Sequence, residues 1–165
     1  MMRSFPLILL IFLCAMFSAG LVSAAQISAK DVVCSVGGEK NVEVWLSDAP
    51  AGLAGYIVTP VLQGQSIADV SFIPSWQFAL SSVDPDTQTA SALDLYAVMT
   101  PEANPFLLGT LRVLGHAAGE SVLYFNIAEM TDHVGEEIMV TQSGIPIHVI
   151  GEERPLSMIG LEVNP

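Results

Sequence analysis

Between residues 31 and 150 no stretch of this chain holds a 3.6-residue apolar period for three turns, so the signature of an amphipathic helix is missing from it. Short runs rich in β-branched, aromatic and leucine side chains stand there instead, separated by glycine, proline and acidic residues. They are DVVCSV (31–36), NVEVWLS (41–47), GYIVTPVL (55–62), ADVSF (68–72), TASALDLYAVM (89–99), LLGTLRVL (107–114), ESVLYFNI (120–127), EEIMV (136–140) and IPIHVI (145–150). Nine short strands in about 120 residues predict an all-β fold, a two-sheet β-sandwich of about nine strands.

Alternation within the runs assigns faces, because successive side chains of a strand point to opposite sides of its sheet. Val42, Val44 and Leu46 share one face of their run, against Glu43, Trp45 and Ser47. By the same rule Tyr56 and Val58, then Leu107, Gly109, Leu111 and Val113, then Leu123, Phe125 and Ile127, point to the core. The opposite faces then carry Ile57, Thr59 and Val61, Leu108, Thr110 and Arg112, and Val122, Tyr124 and Asn126. Pro60 cannot donate a ladder hydrogen bond, which predicts an edge strand or a bulge for its run. If these strands are neighbours, Ile57, Thr59, Val61, Thr110, Arg112, Val122, Tyr124 and Asn126 form a flat patch of polar anchors in an apolar surround. That is the anatomy of a protein interface.

The segment APAGLAGYIVTPVL (49–62) is apolar yet broken by two glycines and two prolines. It is too interrupted for a bilayer span of about 20 residues. It has neither the glycine spacing nor the lysine of a phosphate loop, and it runs into a strand pattern where a helix should begin. Asp48, Pro50 and Gly52 read as a turn between two strands.

Residues 1–24 carry one basic residue, Arg3, an apolar run from Phe5 to Phe17, and small residues ending in Ala24. This pattern predicts a secretory signal peptide and hence a secreted or cell-surface protein. The alternative, an uncleaved membrane anchor, asks for a longer apolar run. Removing 24 of the 165 residues leaves 141, enough for one domain, expected over 27–150 with a short tail at 151–165. Lys30, Lys40, Arg112 and Arg154 then stand against all 17 acidic residues. Such a surface repels the phosphates of nucleic acid and suits neutral or cationic partners. Cys34 is left alone after processing, so no intrachain disulfide is expected.

Catalytic patterns are weak. His116, His133 and His148 fall in no metal-ligating array, and no Gly-x-Ser-x-Gly occurs. The chain reads as a non-enzyme without a cofactor. Asp84 and Asp86, and Asp132 in its own loop, are the weak candidates for a cation, but neither loop has the ordered oxygen set that calcium needs. Trp45 and Trp76 are candidates for stacking on a polysaccharide.

The segments APAGLAGYIVTPVL, ADVSFIPSW, ALDLYAV, LGTLRVLGHAAGESVLYFNI and MTDHVGEEIMV, in that order, resemble the cohesin domains. Gly52 to Gly55 followed by Tyr56, Val58 and Leu62 is similar to the family's glycine-then-aromatic third strand. Leu111, Val113 and Gly119 resemble its LxV...G passage, and Asp132, Gly135 and Ile138 its closing hairpin. The resemblance implies a nine-stranded jelly-roll sandwich without catalysis. It also implies a partner, a helical dockerin-like module that carries its own calcium and docks on one sheet face in a cell-surface or polysaccharide-degrading assembly. Cohesins are similar in fold to carbohydrate-binding modules, which keeps direct polysaccharide binding, or a structural role in the cell envelope, as alternatives.

Overall fold

The computed structural model describes residues 24–151; the expected signal peptide and nearly all of the tail lie outside them. Eleven strands follow in order: β1 Ala25–Ala29, β2 Val32–Ser35, β3 Glu39–Ser47, β4 Gly55–Gly64, β5 Ala68–Pro74, β6 Leu80–Val83, β7 Ala90–Leu93, β8 Phe106–Gly115, β9 Gly119–Thr131, β10 Val140–Gln142 and β11 Ile145–Ile150. A short 3-10 turn, Pro101–Ala103, precedes β8. Sheet A has the order β10-β1-β3-β8-β5, and sheet B the order β2-β11-β9-β4-β7-β6. Both ends of the described segment divide between the sheets. β1 pairs in parallel with β10 in sheet A, and β2 in parallel with β11 in sheet B. The two sheets pack into the sandwich that the run pattern predicts, with the jelly-roll character that the resemblance implies.

Between the sheets lies one core, with Val42, Val44, Leu46, Tyr56, Val58, Leu111, Val113, Leu123 and Phe125 all buried as alternation requires. Tyr56, Phe72, Phe78 and Phe125 form its aromatic centre. Tyr56 meets Phe78 edge-on at 5.1 Å and Phe72 meets Phe125 at 5.2 Å between ring centroids. The Tyr56 hydroxyl crosses from sheet B to donate to the Leu108 carbonyl of sheet A at 2.6 Å. Burial pushes its pKa up.

Several expectations are corrected. Leu107 and Leu108 exchange faces, Leu108 being buried and Leu107 half-exposed. The cause is a bulge: Val44 opposes Gly109 while Trp45 opposes Leu107, so Leu108 has no partner and the alternation skips a step. A second bulge in β9 sets Val58 opposite Ile127 and Ile57 opposite Glu129, and Ile127 is only partly buried against the core. The run 89–99 is a strand only over Ala90–Leu93, and 136–140 contributes a single bridge, Thr131 to Glu137, before β10 begins at Val140. Backbone groups of that last segment are engaged locally, with Asp132 N–H donating to Glu136 O and Ile138 N–H to Met130 O. β4 is an interior strand between β9 and β7. The β7 pairing ends at Val58, so Pro60 stands where β4 is laddered to β9 alone. β1 and β6 have no counterpart among the predicted runs; AQISA is short and half polar, and every residue of LSSV is exposed.

Candidate protein-interaction face

The outer face of sheet B is built on β6, β7, β4 and β9. Alternation along β4 turns Tyr56 and Val58 inward and Ile57, Thr59 and Val61 outward, with Val61 40% exposed. β9 lies beside it in a register that places Asn126 opposite Thr59, Tyr124 opposite Val61 and Val122 opposite Gln63. The predicted outer rows of β4 and β9 are therefore neighbours. Tyr124 and Val122 are half-buried, because the corner between β10 and β11 lies against them: a Cβ added at Gly144 would stand 2.6 Å from the Tyr124 ring. Asn126 and Val61 are the more open of the set.

Thr110 and Arg112 are not on this face. They belong to β8 and look outward from sheet A, across the sandwich. Arg112 pairs with Glu39 at 2.6 Å, which holds the Glu39 carboxyl below its ordinary value and the guanidinium above its own. Trp45 is also on sheet A, between Ser28 of β1 and Leu107 of β8, and half-buried. Trp76 follows β5 and is 87% exposed.

On the other side of β4 the register adds residues that no predicted run placed there. Ile57 faces Ser91 of β7, which faces Ser82 of β6, with the two serine hydroxyls 2.8 Å apart. Thr59 and Thr89 share a second hydroxyl contact at 2.8 Å. Leu93 pairs with Leu80 and with Gly55, leaving the two leucines 49% and 55% exposed. Gly55 is small of necessity, since a Cβ there would come within 2.8 Å of the Ala92 carbonyl. Over it lies a concavity of about 550 Å³, lined by Leu80, Leu93, Ile57, Glu129 and Thr131 among others. The signal for Ser91 and Leu93 is present in TASAL, where small alanines at 90 and 92 alternate with them. β6 gives no such signal.

Charge on the face is of one sign. No lysine or arginine occurs in β4, β6, β7 or β9, whereas Glu120 and Glu129 are exposed on β9. The carboxylates considered for a cation serve their own turns: Asp84 Oδ1 accepts from the N–H groups of Asp86 and Thr87, and Asp132 Oδ1 from those of Val134 and Glu136. Among the described residues no group of three or more His, Cys, Asp or Glu side chains is placed to hold a metal. His133 approaches Asp94 at 3.6 Å, but its nearer contact is the main-chain oxygen of Met99 at 3.3 Å, so the pair holds a loop, and among the described residues no hydroxyl or thiol is its partner.

No family model matches the chain, and no curated protein matches it. Solved structures do. The complex of CaCohA2, a protein of Clostridium acetobutylicum, with a variant of CaDoc0917 contains a chain that matches with a TM-score of 0.63 at 17% identity, over 76% of this chain and 99% of that one. The non-cellulosomal cohesin of the archaeon Archaeoglobus fulgidus matches with 0.60 at 12% identity, over 79% and 94%. The structure of the sixth cohesin of Acetivibrio cellulolyticus scaffoldin B with a Cel5 dockerin matches with 0.60 at 10% identity, over 78% and 100%. Each match spans nearly all of the similar chain, and the fold of the described residues is the cohesin fold.

Proposed function

We propose that the chain is a non-catalytic, secreted or cell-surface module that receives a dockerin-like helical partner on the outer face of sheet B. The observation that carries this reading is the face itself: exposed Val61, Leu80 and Leu93 among serine, threonine and asparagine groups, with glutamates as its only charged residues, on a cohesin fold. A broad sheet face that mixes apolar and polar groups in this way has the composition of a protein interface. That solved cohesins were captured with dockerins supports the choice of partner. The partner's docking helix would bring Lys or Arg to Glu129 and apolar side chains to the concavity over Gly55.

Calorimetry with calcium-loaded, duplicated calcium-loop segments from the same organism tests the reading. One-to-one binding that is lost in Val61→Arg, with the melting temperature unchanged, is the expected result. Heats equal to buffer for every such segment would discard it. Polysaccharide binding is a second reading favoured by the exposed Trp76 and the half-exposed Trp45 of sheet A. Retardation in a polysaccharide gel that disappears when both tryptophans become alanine would select it.

A further inference from the structure

We infer that the loop Asp94–Met99 is a prebuilt apolar extension of the sheet B face and that Leu95, Tyr96 and Val98 contact the same helical partner, an inference that rests on the reading above. The loop leaves β7 directly after Leu93, the outward residue paired with Leu80. Asp94 turns inward, its N–H donating to Ala54 O at 2.7 Å. The Asp94 carboxylate, with no side-chain exposure, accepts from Met99 N–H at 2.7 Å and Tyr96 N–H at 3.3 Å and lies 3.6 Å from His133 Nε2. Ala97 adopts a left-handed φ of 50°. Met99 is buried, and its carbonyl accepts from Leu53 N–H at 3.0 Å. Gly52, at φ 82°, makes room below, since a Cβ there would stand 2.6 Å from that carbonyl and 2.8 Å from His133 Cδ2.

Burying a carboxylate and holding a non-glycine residue at positive φ both cost stability. What they maintain here is a loop with Leu95 59%, Tyr96 79% and Val98 50% exposed. A fold gains nothing from fixing three apolar side chains in water. A binding surface does, because ordering the loop beforehand removes that cost from association. Single exposed apolar residues are ordinary, but these three follow directly in the chain on Leu93, the exposed residue of β7 that pairs with Leu80. That continuity argues for the partner of the face as occupant. A second copy is disfavoured by a formal charge of −12 on each chain.

The test places the photo-crosslinker p-benzoylphenylalanine at Tyr96, at Val61 in the middle of the face, or at Ile73 on the outer side of sheet A, in the intact chain secreted by its own cells. Mass spectrometry then identifies the adducts. Expected is one protein bearing duplicated calcium-loop helices, captured from positions 96 and 61 and not from 73. Capture from 61 without 96 overturns the inference and leaves the face reading standing. Capture from neither position, or from 96 without 61, overturns both. Adducts at 96 consisting only of this chain overturn the inference in favour of self-association. With the captured partner, Tyr96→Ser is expected to weaken binding at least tenfold. Asp94→Asn is expected to weaken it while raising amide hydrogen exchange at Tyr96 and Met99; exchange that rises with affinity unchanged would refute the prebuilt loop.

Discussion

Phe125 shows what a single residue decides in this protein. It is 3% exposed, stacks edge-on against Phe72 from the opposite sheet, and ties sheet B to the core centre. Replacing it with alanine leaves a cavity between two sheets that cannot close over it, and the expected loss is about 3 to 5 kcal/mol in a urea denaturation series. Alternation in ESVLYFNI is enough to place Phe125 inside. It is not enough to place Leu108, because the bulge opposite Val44 and Trp45 depends on β3 and β8 being paired, a relation that local periodicity does not encode. Gly52 is similar. Its turn role is legible in APAGLAG, whereas the reason that no side chain fits there is Met99 and His133, residues 47 and 81 positions further on.

Two elements carry predictions of their own. β9 loses its β11 neighbour beyond Leu123, where the β11 ladder ends. There the Gln142 side chain of β10 takes over, its Oε1 accepting from Phe125 N–H at 2.9 Å and its Nε2 donating to Phe125 O at 2.7 Å. The amide thus imitates a strand and links sheet A to sheet B at an otherwise open edge. Gln142→Glu keeps the shape but removes the donor and sets a carboxylate against a carbonyl. A loss of about 1 to 3 kcal/mol is expected, measured as a shift in the denaturation midpoint, and Gln142→Asn should not restore it because the reach is shorter. In the β6–β7 hairpin, Asp84 is held below its ordinary value of 3.8 by the Asp86 and Thr87 amides. A carboxyl depressed in the fold adds stability above its unfolded pKa, and that stability is lost as pH falls through the folded one. The melting-temperature gap between the protein and Asp84→Ala should therefore be constant near neutrality and close below about pH 4, where the unfolded carboxyl takes up its proton. A gap that persists unchanged at about pH 2 would show that packing, not the carboxylate, is responsible.

At the scale of the molecule, charge sets how a partner arrives. With 17 acidic residues against five basic ones, and none of the basic ones on β4, β6, β7 or β9, association with a basic docking helix should slow as ionic strength rises. Between about 20 and about 500 mM salt the screening length shortens about fivefold, so stopped-flow association rates should fall while dissociation changes little. A rate indifferent to salt would mean that the glutamates of the face do not steer. The sequence by itself determined the all-β class, the two-sheet sandwich, and which side of most strands is buried, because these depend on spacing of two along a strand and on the turn residues between strands. Tertiary structure alone decided adjacency. It set β4 between β9 and β7, joined Val61 to Tyr124 and Ile57 to Ser91, and sent Thr110 and Arg112 to the opposite sheet. Pairing partners are chosen by closure of the whole sandwich across tens of residues, and the outward side of a strand reads the same whichever sheet receives it.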